Sequence, residues 1–134
     1  MQHSSKPVDL YRQNDITFLL NRDSKGFAGS FLKLHGPCAC SMGWRVDDGN
    51  EALSAACARG ANRATGEHAL PTIFGIGESL IYFVDRYRDE KRWERLGFVK
   101  LEKPELTPSK GFMAIDHPPS TSPRTRSDGT RTSS

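Results

Sequence analysis

The sequence predicts an α+β fold organised on a βαβββ unit, and three stretches carry that prediction. In Cys38 to Val46 (CACSMGWRV), Cys38, Cys40, Met42, Trp44 and Val46 alternate with Ala39, Ser41, Gly43 and Arg45, the period of a strand with one heavy apolar face. Asp48 then stands three residues before Glu51 in a capping-box pattern, and Ala52, Leu53, Ala56 and Cys57 mark one helix face as far as Gly60. Ser79 to Asp85 (SLIYFVD) is a strongly apolar strand, reached through Gly75-Ile76-Gly77, a turn whose glycines permit positive φ.

The other elements follow in chain order. MQHSSK is polar and is expected to fray. Val8 to Gln13 and Asp15 to Asn21 (DITFLLN) read as two strands joined by a tight Gln13-Asn14 turn. Ser24 to His35 carries a helical stripe of Phe27, Ala28, Phe31, Leu32 and Leu34, weakened by Gly26 and Gly29 and stopped by Gly36-Pro37. After the second helix, Asn62 to Ala69 is a polar connection with room for a short strand, and Pro71 to Phe74 leads into the glycine turn. Arg86 to Arg95 mixes five basic and three acidic residues around Tyr87 and Trp93, a pattern read as a solvated loop and not as a nucleic-acid surface. Leu96 to Leu101 is a short strand, Lys103 to Lys110 a proline-punctuated linker, and Gly111 to Asp116 a further strand ending at His117, where Pro118-Pro119 stops pairing. Trp44 and Phe83 are expected in the core.

Composition sets outer bounds. At 134 residues and 36% apolar, the chain has material for one lean core. Residues 118 to 134 contain no apolar side chain and read as a disordered tail. The tail holds three Arg against one Asp, leaving 16 basic and 15 acidic residues elsewhere, so the net charge of +3 belongs mostly to the tail and the body is nearly neutral. That argues against a nucleic-acid partner. No apolar run is long enough to span a bilayer, and three cysteines without a signal peptide fit a reducing cytoplasm, so the expected localisation is cytoplasmic and no membrane partner is expected. Cys38 and Cys40, two apart on one strand, do not have zinc-ligand spacing and are read as core thiols.

Taken in order, LYRQNDITFLLN, HGPCACSMGWRV, LPTIFGIGESLIYFVDRY, FVKLE and GFMAIDH resemble the N-terminal half of bacterial 4-hydroxyphenylpyruvate dioxygenase, a member of the vicinal-oxygen-chelate superfamily of glyoxalase- and dioxygenase-type βαβββ modules. The resemblance runs from Lys6 to His117 in register. It implies one partial and one complete module: residues 1–37 as a partial first module, 38–102 as the second, 103–117 as linker and first strand of a catalytic domain, and 118–134 as the tail. Relatives of this kind bind Fe(II) through two His and one Glu of the catalytic domain. They convert 4-hydroxyphenylpyruvate and dioxygen to homogentisate and carbon dioxide in tyrosine catabolism. Only the first ligand falls in this chain: the Ile-Asp-His segment matches Ile115, Asp116 and His117, so the resemblance implies His117 as a metal ligand in a full-length protein.

One imidazole cannot hold Fe(II), and His35, His68 and Glu67 show no spacing that supplies replacements. The chain alone is therefore expected to bind no cofactor and to be inactive, a structural N-terminal domain truncated at both ends. The 2-oxo acid substrate would belong to the complete enzyme, and the partner would be a complementing catalytic domain or a second copy. Two other readings stand beside it. One is a stand-alone dimerisation module using an open sheet edge; the other is the dioxygenase-like domain of a 3-dehydroshikimate dehydratase.

Overall fold

The structure, a computed structural model, describes residues 1–116; His117 and the segment read as a tail lie outside the described residues. In chain order it contains β1 (Gln2–His3), β2 (Val8–Gln13), β3 (Ile16–Asn21), α1 (Gly26–His35), β4 (Ser41–Arg45), α2 (Gly49–Ala58), β5 (Thr72–Phe74), a 3-10 turn (Ile76–Glu78), β6 (Leu80–Val84), α3 (Arg92–Arg95) and β7 (Phe98–Val99). Two sheets form, with strand orders β3-β2-β1-β7 and β4-β6-β5.

The second sheet is the expected βαβββ unit. β4 and β6 pair in parallel, β5 and β6 antiparallel, and an isolated bridge between Arg63 and Ile73 supplies the remaining strand position in the polar connection. Parallel neighbours need a crossover, and α2 provides it. Its start is fixed twice. The Asp48 side chain accepts from the Glu51 N–H at 2.8 Å, and the Gly49 N–H donates to Asp85 Oδ2 at 3.0 Å, which ties the helix N-terminus to the end of β6. A Cβ on Gly49 would meet Pro71 Cγ at 3.1 Å, so glycine lets the helix approach this closely. Leu53, Ile73 and Phe83 form the core between helix and sheet, with Val46, Ala52, Ala56, Cys57, Ala61 and Ile81 packed around them.

The first sheet holds a separate core of Val8, Leu10 and Phe98, sealed by Met1, Trp93 and Leu96. Here the structure departs from the sequence reading in three ways. The polar start does not fray: Gln2 pairs with Asp9 and Val99, the Met1 carbonyl accepts from the Leu10 N–H at 2.8 Å, and His3 sets its ring edge on Phe98. The loop 86–95 is not wholly solvated either. It contains α3, whose Trp93 stands edge-to-face on Phe98 with ring centroids 5.7 Å apart. β7, assigned by sequence to the second module, pairs with β1 and so closes the first sheet.

Further corrections concern β4 and the chain's end. The strand begins at Ser41, and its alternation does not bury its heavy face: Trp44 is 50% and Met42 38% exposed, and Cys38 is exposed. β4 lies at the sheet edge, and α2 packs over β5 and β6 instead of over it. Phe83 is buried as expected, and of the three thiols only Cys57 packs against a core. The hairpin turn is Asn14-Asp15, with Asn14 at φ 51. Gly111 to Asp116 forms no strand; that segment lies at the hairpin tip, where the Asn14 side-chain amide donates to the Phe112 carbonyl at 2.6 Å and the Asp15 N–H to the Met113 carbonyl at 3.0 Å.

Candidate functional site

Paired residues of neighbouring strands share a face. Ser41 pairs with Leu80 and Gly43 with Tyr82, so these residues point away from the face that carries Ile81 and Phe83 beneath α2. On that opposite face lies a cleft of about 360 Å³ between the two halves of the chain. β4 and β6 supply Ser41, Leu80 and Tyr82, the polar connection supplies His68, and the segment from the end of β3 to the start of α1 supplies Asp23 and Lys25.

The electrostatics of the cleft centre on Tyr82. Burial raises its pKa above the ordinary value, and the neighbouring Cys40 adds to the rise, so the phenol stays neutral and presents a hydroxyl. The His68 ring meets Tyr82 edge-on at 6.0 Å between centroids. His68 Nε2 lies 2.9 Å from the Thr65 carbonyl oxygen; a carbonyl only accepts, so that nitrogen carries the proton. Asp23 is engaged by its own turn, accepting from the Lys25 N–H at 2.9 Å. Leu80, 2% exposed, closes the floor.

A facial iron site needs two imidazoles and a carboxylate converging on one point. The cleft is lined by one imidazole, His68, already bonded through Nε2, with Asp23, Glu67 and Cys40 and two lysines, Lys6 and Lys25; it lacks the second imidazole that a two-His, one-carboxylate set requires. Among the described residues no three His, Cys, Asp or Glu side chains are placed so that they could hold a metal ion. His35 lies at the end of α1, its ring 4.4 Å from that of Phe31, and does not line the cleft. His117 lies outside the described residues. No helix among the described residues is long and apolar enough to cross a membrane.

A second polar cluster seams the two halves. The guanidinium groups of Arg45 and Arg88 lie over the Tyr87 ring, at 5.4 and 5.3 Å from its centroid. Arg45 donates to the Asp15 carbonyl at 3.4 Å, joining β4 to the hairpin turn. Arg92 covers Trp93 and donates to the Asp89 carbonyl at 3.0 Å. Its pKa is lowered by burial and then by Arg12 and Arg45, while that of Asp89 is lowered by the Lys91 N–H and the Arg95 guanidinium. Sequence reasoning found neither Tyr82 nor this seam. The signal for Tyr82 was one polar-tipped side chain inside the apolar run SLIYFVD.

Comparison with known proteins places this geometry. Residues 1–101 match the family model described as hydroxyphenylpyruvate dioxygenase, N-terminal. The chain is similar to protein MelA of Shewanella colwelliana, 46% identical over 119 residues, covering 87% of this chain and 34% of that protein. It is similar to the 4-hydroxyphenylpyruvate dioxygenase of Pseudomonas aeruginosa, 38% identical over 123 residues with the same two shares. A 3-dehydroshikimate dehydratase of Pseudomonas aeruginosa is 32% identical over 121 residues, 87% of this chain and 19% of that protein. Among solved structures, a xylose isomerase-like TIM barrel/4-hydroxyphenylpyruvate dioxygenase fusion protein matches with a TM-score of 0.58 at 35% identity, over 62% of this chain and 14% of the fusion. The chain spans about a third of the length of the first two relatives.

Proposed function

The chain belongs to the family of hydroxyphenylpyruvate dioxygenase N-terminal domains, and from that membership we propose that it serves as the structural, non-catalytic domain of a 4-hydroxyphenylpyruvate dioxygenase-like protein. The observation that carries the reading is the match over residues 1–101, which takes in every helix and strand of both sheets. The parent reaction on this reading is the Fe(II)-dependent conversion of 4-hydroxyphenylpyruvate and dioxygen to homogentisate and carbon dioxide, a step of tyrosine catabolism in the cytoplasm. The described residues do not supply the iron ligands. His117 would contribute one of three in a complete protein, the other two coming from a catalytic domain.

On this reading the chain's own residues act mechanically. Asp48, Gly49 and Asp85 fix α2 on the second sheet, and Arg45, Tyr87 and Asp15 lock the two halves. The product is a rigid platform against which a catalytic domain can be seated. The test is reconstitution: the chain is mixed with the catalytic half of the Pseudomonas aeruginosa dioxygenase, made without its own N-terminal domain, and oxygen uptake with 4-hydroxyphenylpyruvate is followed. Stimulated uptake is expected. An unchanged rate over the catalytic half alone contradicts the reading.

A second reading is favoured by the dehydratase relative and by the barrel fusion among solved structures. In it the same domain type is joined to a barrel and the parent acts on 3-dehydroshikimate. Gene sequence upstream of Met1 encoding a barrel would select it.

A further inference from the structure

Residues 109–116 form neither helix nor strand, yet one turn of the chain holds them in place. Three successive residues of the β2–β3 hairpin supply the donors. The Gln13 side-chain amide donates to Ser109 Oγ at 3.0 Å, the Asn14 side-chain amide to the Phe112 carbonyl at 2.6 Å, and the Asp15 N–H to the Met113 carbonyl at 3.0 Å. Neither of the last two donors belongs to the β2–β3 ladder, whose pairing ends at Gln13 and Ile16, so both are available to the segment. The backbone on each side suits this contact. Asn14 takes φ 51, a left-handed conformation that asparagine tolerates, and Gly111 takes φ 79 while its N–H donates to Ser109 Oγ at 3.2 Å. Phe112 and Met113 are 63% and 66% exposed, so directional bonds fix the segment more than burial does.

Asp15 also faces the other half of the chain. Its carbonyl accepts from Arg45 of β4 at 3.4 Å, and its carboxylate lies 3.8 Å from the same guanidinium, which in turn lies over the Tyr87 ring. One residue therefore joins the first sheet, the second sheet and segment 109–116. We propose that the tip of this hairpin is a positioning site, with Asn14 its holding residue: it seats segment 109–116 and so fixes the direction in which the chain leaves the two sheets. On the structural reading given above, that segment carries the chain from this domain toward the catalytic part of a complete protein, and the seat sets how the two are oriented. That purpose rests on the structural reading; the seat itself is tested on the present chain, without any activity.

The test is amide exchange of the full chain followed by NMR, with the Asp15 N–H as reporter, because it donates to the Met113 carbonyl and not to the ladder. In the wild type this proton is expected to exchange at least about tenfold more slowly than in an unstructured peptide. Asn14→Gly removes the holding amide and keeps the left-handed turn. Gly111→Val strains the segment from its own side, where a Cβ meets nothing within 4 Å and the hairpin is untouched. Each substitution is expected to remove most of the protection at Asp15, with the β2 and β3 ladder amides and the far-UV circular dichroism unchanged. Trypsin gives a second readout: the bond after Lys110 lies inside the seated stretch, and its cleavage is expected to be at least about threefold faster in Asn14→Gly than in the wild type. An Asp15 proton that exchanges at the peptide rate in the wild type overturns the proposal, and so does protection that survives either substitution. Failure of the reconstitution described above, with Asp15 still protected, would remove the purpose and leave the seat, so the two failures are told apart.

Discussion

Truncating Phe83 and Trp44 separately distinguishes a buried centre from an edge that only looks buried in sequence. The two residues are register partners on β6 and β4 and share a face, yet Phe83 is 5% exposed and Trp44 50%. Phe83 is buried in one cluster with Leu53 and Ile73, so Phe83→Ala removes a nearly full aromatic burial and leaves a cavity, at a cost of about 3–5 kcal/mol. Trp44 has half its surface in water and leaves a notch in place of a cavity, so Trp44→Ala is expected to cost about 1.5 kcal/mol. The gap of about 2 kcal/mol corresponds to roughly 1 M between urea midpoints at an unchanged slope. The assay is urea unfolding followed by circular dichroism, because Trp44 is itself a fluorophore, at one fixed protein concentration so that any association cancels. Equal midpoints for the two variants would refute the reasoning and place α2, or another cover, over β4.

Asp48→Ala removes the side chain that receives the Glu51 N–H, and a loss of about 1 kcal/mol is expected, read as a lower thermal midpoint. For Tyr82 the sign follows from its raised pKa: above pH 10 the unfolded chain releases the phenolic proton that the folded chain retains, so stability falls as pH rises through that range. Tyr82→Phe is expected to flatten this part of the profile, checked by urea midpoints between about pH 8 and 11, and ultraviolet titration of the wild type should show one tyrosine ionising late. Gly97 has φ 92, and a Cβ there would lie 2.8 Å from His3 Nε2; Gly97→Ala is expected to cost more than about 1 kcal/mol and to speed amide exchange across the β1–β7 seam.

Much of the second sheet was legible because its signals are local. The Asp48 cap, the Leu53 helix face and the SLIYFVD run each declare themselves within ten residues. What escaped depends on distant chain. β1 is two residues long and forms because Val99 and Phe98, almost a hundred residues away, complete its ladder. Trp93 sits in a stretch whose charges outvote it, and only the position of Phe98 shows that the ring is part of a core. The alternation of Cys38 to Val46 reports two faces but not what covers either, which is why Trp44 was placed in the core. The cleft was unreadable for the same reason: Tyr82 and His68 are fourteen positions apart, on a strand and in a polar connection, and meet only when the sheet forms.

The central claim is that this domain type is structural and that its chemistry belongs to another part of a complete protein. Its most direct test is metal content and turnover of the purified chain, loaded anaerobically with Fe(II), desalted, given 4-hydroxyphenylpyruvate and then exposed to dioxygen. The expected result is substoichiometric iron and no homogentisate. One iron per chain with homogentisate formed would contradict the account and require a ligand set that the described residues do not assemble.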